Sequence, residues 1–318
     1  NVMTKQNNTT TSLSARIIFW GTPEFAVPSL DTLNKLDLVS LVVTQPDRPA
    51  GRGKKLLASP IKEYATENNI DILEPQNLDD HFINELKKYL PATFVVVAYG
   101  KIIPQEILDL SELKAINIHP SMLPILRGPS PSQSALLKGF QSTGVSLMQL
   151  DKKMDHGPIL SQIEVKIEPN EDYIDLSERL SKIGADIINK HILDYLNNKI
   201  TPLPQDDEQA SFCKMIKKED GLIDWQKSAQ DIHNKVRAFR LWPGAYTKLD
   251  NLDIKILKSE VVEENLKPGE IKFDKNNLIV GTADQSLKIL ELQVAGKKAM
   301  SVQDFIRGYN RYLDKTFQ

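Results

Sequence analysis

Asn117 and His119 stand two residues apart in the run Ala115–Gly128, AINIHPSMLPILRG. The apolar, β-branched opening predicts a strand over 114–118, with the two polar side chains at its carboxyl end. In extended chain this spacing puts both on one face, and open α/β sheets bind ligands at the carboxyl ends of their strands. An amide that donates and an imidazole that titrates would then share one crevice, a pair suited to holding a developing oxyanion and moving a proton. Leu123-Pro124 and Arg127-Gly128 predict a turning loop beside them. Asp155, in QLDKKMDHG (149–157), follows a second predicted strand over 144–150. A carboxylate there would hold an imidazolium, and Gly157 permits a close backbone approach. Residue type alone leaves both readings open: Asn-x-His also serves capping and packing, and Asp-x-Gly is ordinary turn chemistry.

A third stretch, Thr44–Lys62, sets Arg48, Arg52, Lys54 and Lys55 among Pro and Gly directly after a predicted strand. The expectation is a long basic loop without structure of its own, suited to phosphates and equally open to being a solvated surface loop. His81, His156, His191 and His233 have no comparable setting and are expected at the surface or in the core. Gly21-Thr22-Pro23 follows a strand, but neither GxGxxG nor a Walker sequence is present, so no dinucleotide or ATP site is assigned. Cys213 is the only cysteine. It excludes an intrachain disulfide and an intrachain cysteine metal site, no metal is implied, and the pattern suits a cytoplasmic protein.

These residues need a scaffold. Apolar runs at 15–20, 39–43 and 93–98 alternate with helical patterns at 24–36, 61–68 and 81–89, and strands at 144–150 and 159–167 precede an amphipathic helix over 174–196. Alternation of this kind predicts an α/β fold with a doubly wound, mostly parallel sheet. Thr22 is the expected N-cap of the first helix, with Pro23 in its first turn. Residues 197–210 (NNKITPLPQDDEQA) predict a polar linker. Beyond it come one helix at 229–239 and short strands at 246–249, 254–259, 278–282 and 286–294, the pattern of a small β-barrel. The expected division is a disordered leader (1–14), a catalytic domain (15–196), the linker and a C-terminal domain (211–318). No apolar run is long enough to cross a membrane as a helix. Residues 209–318 carry 19 Lys/Arg against 15 Asp/Glu, a slight basic bias that scatter alone would also produce.

Taken together, these motifs resemble the folate-dependent formyltransferases, and within them the branch acting on methionyl-tRNA. IIFWGTPEFA, TQPDRPAGRGKK, VVVAYGKIIP, NIHPSMLP, TGVSLMQLDKKMDHGPIL and LQVAGKKAMSVQDF stand in the family's order, from Arg16 to about Asn310. The Asn-x-His and Asp-x-Gly pattern marks the broader family; the basic loop and the C-terminal domain mark the tRNA-using branch. The resemblance implies a catalytic trio of Asn117, His119 and Asp155. It implies a folate-contacting segment of Ser121, Met122, Leu123 and Pro124, and an acceptor-stem contact at Arg52 with Arg48, Lys54 and Lys55 around it. It further implies 10-formyltetrahydrofolate as formyl donor, initiator methionyl-tRNA as partner, a monomer, and an OB-like C-terminal barrel that binds tRNA, with Lys214, Lys217, Lys218, Arg237 and Arg240 as candidate contacts. Leu126 stands where the family often has an aromatic residue, and Pro129, Ser130 and Pro131 replace a small, Ala-rich run. Rivals are formyl transfer to a nucleotide-sugar amine or to glycinamide ribonucleotide, formyl-folate hydrolysis, and non-catalytic tRNA binding.

Overall fold

The computed structural model describes residues 16–50, 55–274, 276–312 and 315–318. The predicted leader, Arg52 and Lys54 lie outside the described residues. The first domain runs β1 (Ile17–Gly21), α1 (Val27–Lys35), β2 (Val39–Val43), a hairpin of β3 (Arg48–Ala50) and β4 (Lys55–Leu57), α2 (Pro60–Glu67), β5 (Ile72–Leu73), α3 (Asp80–Lys87), β6 (Thr93–Val97), α4 (Gln105–Leu108), β7 (Ile116–His119), α5 (Pro131–Leu137), β8 (Ser142–Gln149), β9 (Ile159–Lys166) and α6 (Tyr173–Leu196). The sheet order is β5-β2-β1-β6-β7-β8-β9. Pairing is parallel from β5 to β7 and antiparallel at β8 and β9. The chain winds from β1 to one side and returns on the other, so the carboxyl ends of β1 and β6 flank a topological switch point.

Pleating divides the strand residues between two cores. Ile17, Phe19, Val95, Val97, Ile116 and Ile118 face α1 and α6, whereas Ile18, Trp20, Phe94 and Val96 face α3. Alternation along β7 therefore sends Asn117 and His119 to the second face, opposite Ile116 and Ile118. The long helix α6 earns its length from a stripe of buried residues, Leu176, Leu180, Ile187, Ile188 and Ile192, and from Asp172, which caps its first turn by accepting from the Ile174 and Asp175 N–H groups.

Thr22 is not a helix cap. The predicted helix begins as a 3₁₀ turn, Glu24–Ala26, with Pro23 at the cap position, and the Thr22 hydroxyl donates instead to the Tyr99 carbonyl (2.8 Å). It ties the ends of β1 and β6 together at the switch point. The basic loop also differs from expectation, since it folds back as the β3–β4 hairpin, with Arg48 paired to Leu57.

The second domain contains α7 (Ala229–Ala238), β10 (Ala245–Leu249), β11 (Leu252–Val262), β12 (Ile271–Asp274), β13 (Asn277–Gly281), β14 (Ser286–Val294), β15 (Met300–Ser301) and α8 (Val302–Gly308). Its strands order as β10-β11-β14-β13-β12, with β15 on β14, and all their pairings are antiparallel. The C-terminal tail bridges the two edges. Gln318 exchanges backbone bonds with Lys248 of β10, and the Phe317 N–H donates to Gly269, just before β12 (2.9 Å). The tail thereby curls the sheet toward the expected barrel, satisfying edge groups that would otherwise be open. No helix among the described residues is long and apolar enough to cross a membrane.

Candidate active site

Asn117 and His119 are both buried, at 9% and 5% exposure. His119 Nε2 lies 3.0 Å from the Leu126 carbonyl oxygen. A carbonyl only accepts, so Nε2 carries the proton, and the other ring nitrogen is left free of that bond. That nitrogen, Nδ1, faces Asp155 Oδ1 at 3.7 Å, too far for a hydrogen bond and close enough to pair with a charged ring. The Asn117 amide has no hydrogen-bond partner among the described residues, and neither of its polar atoms is among those sealed from solvent without one. A nearly buried amide in this condition is available to a ligand.

Ser146 of β8 pairs with His119, and its hydroxyl organises the loop that follows β7. Ser146 Oγ donates to the Ser121 carbonyl (2.6 Å) and accepts from the Leu123 N–H (3.1 Å) and from Gln162 Nε2 (2.8 Å). The same Gln162 nitrogen donates to the Leu123 carbonyl (2.9 Å), and the Ser121 hydroxyl donates to the Ile125 carbonyl (2.6 Å). Of the predicted folate-contacting residues, Ser121 and Leu123 are thus buried and shape the loop from within, while Met122 and Pro124 stay half-exposed at its face. Leu126 takes a left-handed backbone (φ 60°) that aims its carbonyl at His119. Its side chain is buried among the core residues, so an aromatic ring is not required to fill that place. Pro131 opens α5, where its missing N–H costs nothing.

Asp155 also has a left-handed backbone (φ 50°), and its Oδ2 accepts from the Gly128 N–H (2.8 Å). Gly128 has φ 124°, and a Cβ there would overlap the Cys213 carbonyl oxygen. The glycine of Asp-x-Gly has a different reason from the one expected: a Cβ on Gly157 would overlap the Gln149 carbonyl oxygen, so close approach closes the β8–β9 connection rather than admitting a ligand.

Sequence reasoning missed the groups that hold Asp155 in place. Residues 197–210, expected as a plain linker, run along the first domain. Leu203 exchanges two backbone bonds with Ile159, and Phe212 pairs with Arg127. From this strap Gln205 Nε2 donates to the carbonyls of Asp155 (2.9 Å) and Gly157 (2.7 Å), and its Oε1 accepts from Arg127 Nε (3.0 Å). The buried Arg127 guanidinium also donates to Asp207 (2.8 Å), whose second oxygen meets His156 Nε2 (3.2 Å). His156 Nδ1 in turn lies 2.7 Å from Asp151. The Asp207 carboxyl is held below its ordinary value, chiefly by the hydrogen bond from Arg127 and then by His156.

The candidate cations divide. Arg48 is exposed on β3 and donates to Gln45 Oε1 (3.3 Å). Lys55 lies in β4, with its side chain outside the described residues. Lys214, Lys217 and Lys218 are exposed. Arg237 is buried and donates to Asn234, and Arg240 pairs with Asp172 and Glu291. Both of these arginines are engaged within the chain, unlike the three lysines. A cavity of about 610 Å³ lies at the domain junction around Arg237, His233 and Glu260, lined by none of the trio. The open face beside Asn117 fits the chemistry better. No group of three or more His, Cys, Asp or Glu among the described residues could hold a metal ion.

Comparison with known proteins gives a consistent result. The formyl transferase family matches residues 15–192, and the formyl transferase C-terminal domain matches residues 215–310. The methionyl-tRNA formyltransferase of Thermodesulfovibrio yellowstonii is 46% identical over 298 residues, covering 93% of this chain and 96% of its own. That of Caldanaerobacter subterraneus is 41% identical, covering 93% and 97%. A sugar 3N-formyl transferase, crystallised in the presence of dTDP and 5-N-formyl-THF, superposes with a TM-score of 0.67 at 26% identity, covering 90% of this chain and 99% of its own.

Proposed function

Because this chain belongs to the formyl transferase family, we propose that it moves the formyl group of 10-formyltetrahydrofolate to the α-amino group of initiator methionyl-tRNA, giving N-formylmethionyl-tRNA for the start of translation. The observation that carries the chemistry is the unpartnered Asn117 amide, beside an imidazole whose free nitrogen faces a carboxylate. The match to relatives of this name from the sheet through the barrel supports the choice of acceptor.

Asn117 Nδ2 and the protonated Nδ1 of His119 hold the oxyanion that forms when the amine nitrogen bonds to the formyl carbon. Leu126 fixes the ring by engaging Nε2–H, so Nδ1 is the nitrogen that serves the reaction. Asp155 balances the imidazolium charge. With Oδ2 engaged by Gly128, its Oδ1 is the atom left to relay the amine proton to the departing folate nitrogen. As that proton arrives, the bond from the formyl carbon to the folate nitrogen breaks and the carbonyl re-forms. The amine must be neutral to attack and the imidazole protonated, so the rate rises with pH and then plateaus or falls. Met122 and Pro124 offer the folate an apolar edge, and Arg48, Arg52, Lys54 and Lys55 meet phosphates of the acceptor stem. The reading extends to a monomer acting in the cytoplasm, where translation takes place.

The test is transfer of labelled formyl from 10-formyltetrahydrofolate to charged initiator tRNA, with uncharged tRNA and nucleotide-sugar amines as controls. Acid-stable label on methionine, lost in His119→Ala, supports reaction and site together. Label on a small amine alone would keep the chemistry and overturn the acceptor.

A further inference from the structure

We infer that Phe212 and Trp242 form a stacking platform for the unpaired nucleotides at the aminoacylated end of the tRNA, an inference that rests on the acceptor proposed above. Large apolar side chains are costly to leave in water, and a contiguous set of them marks a binding surface. Phe212 is 67% exposed, Met215 72%, Leu241 63% and Trp242 52%. They come from two short stretches that the fold brings against one segment, residues 127–133. On one side the Phe212 backbone pairs with Arg127, and the Ser130 hydroxyl donates to the Lys214 carbonyl. On the other, Gln133 Nε2 donates to the Trp242 carbonyl (3.0 Å). Gly128, whose N–H holds Asp155, lies directly against Cys213 of the first stretch. Two exposed aromatic residues therefore flank the segment that positions the proposed proton relay.

The other tryptophans show what this protein does with an indole that has only a structural task. Trp20 is fully buried, and Trp225 is 4% exposed with its Nε1 donating to Thr247 (2.9 Å). Trp242 is exposed, and its side chain has no hydrogen bond among the described residues. Charge identifies the partner's chemistry. Lys214, Lys217 and Lys218 are exposed beside the patch and have no ion-pair partner among the described residues, and Asp220 is engaged with the Lys217 N–H (2.7 Å). Aromatic faces interleaved with uncommitted cations suit single-stranded nucleic acid, whose bases stack and whose phosphates need neutralising.

Trp242 is the one exposed tryptophan of three, so it reports directly on its own contact. The wild-type emission is titrated with charged initiator methionyl-tRNA and with the same tRNA trimmed of its unpaired 3′ nucleotides. Quenching by the intact tRNA, its absence with the trimmed one and its loss in Trp242→Phe are expected. Phe212→Ala should weaken binding of the intact tRNA by roughly 5- to 150-fold, the range for losing one stacked base, with the salt dependence unchanged because no phosphate contact is removed. Phe212→Tyr should restore binding. Equal quenching by trimmed tRNA, or unchanged binding in Phe212→Ala, would overturn the platform. Wild-type formyl transfer is assayed in parallel: failure there sinks the proposed function, whereas transfer with unaltered binding in the variants sinks the platform alone.

Discussion

The loop after β7, residues 120–130, and the hairpin segment between β2 and α2, residues 44–59, rise from the same edge of the sheet and are held in opposite ways. Within the first, Ser121, Leu123, Leu126, Arg127 and Gly128 each make a hydrogen bond to a residue distant in sequence or to the loop itself, and Leu126 is buried. The second is pinned at its base, where Thr44 meets Ser59 (2.8 Å), Gln45 donates to the Tyr99 carbonyl (3.3 Å) and Lys62 pairs with Asp47 (2.8 Å). Further out it leaves Leu56 and Leu57 65% and 56% exposed. Chemistry that depends on sub-ångström placement belongs on the first kind of segment, and recognition of a large partner is served by the second.

The comparison breaks most visibly at Asn117. Its amide makes no hydrogen bond among the described residues, so Asn117→Ala should cost catalysis and leave the fold alone. Loss of an oxyanion donor lowers kcat by about 10²–10³, while the melting temperature and the affinity for folate should hardly move. A large drop in melting temperature would mean that the amide supports the loop rather than the reaction.

Gln205→Ala tests the over-determined loop itself. The variant frees two carbonyls in the Asp155 turn and leaves Arg127 Nε buried without its acceptor. A buried group left unpaired costs about 1–3 kcal/mol, so the urea midpoint should fall. Asp155 would then lose its fixed aim, and kcat should drop about tenfold with little change in KM, since 1.36 kcal/mol of transition-state stabilisation is a factor of ten. A change in KM alone would place the strap in substrate binding instead.

The mostly parallel sheet and its helices were legible in the sequence because buried strands read as apolar runs, and the two-residue spacing put Asn117 and His119 on one face; local pattern left Asp155 open, and only the resemblance joined it to them. What the sequence hid was long-range. Gln205 lies 50 residues from Asp155 in a Pro-rich polar stretch whose composition suits a linker, and nothing local shows that it wraps the first domain. Thr22 met every local criterion for a helix cap, yet tertiary contact with Tyr99 claimed its hydroxyl. Arg237 and Arg240 looked like free cations until Asn234, Asp172 and Glu291 were brought beside them. The short β12 lies beside turn-rich residues, and its strand character comes from pairing with β13.

Arg48→Ala probes the hairpin side of the comparison and should act in a different coordinate. Removing the proposed phosphate contact should raise KM for charged tRNA several-fold at low salt and reduce the magnitude of the salt dependence by about one, with kcat unchanged. A fall in kcat as large as that of Gln205→Ala would show that the hairpin, too, sets the geometry of the reacting groups.

The smallest effect is expected at Asp207, at the exposed end of the strap. Its carboxyl is held below the ordinary value, first by Arg127 and then by His156. A depressed carboxyl contributes stability that is fully present above the unfolded-state value of about 3.9 and is lost as pH falls through the lower folded-state value. The urea midpoints of wild type and Asp207→Asn should therefore differ by a constant amount from neutral pH down to about pH 4, and converge in stronger acid as the wild-type carboxyl is protonated. The side chain is 59% exposed, so solvent screens the pair and added salt should shrink the gap. A gap that persists in strong acid would mean that the carboxylate charge is not what Arg127 uses, and that Gln205 alone holds the guanidinium over the Asp155 turn.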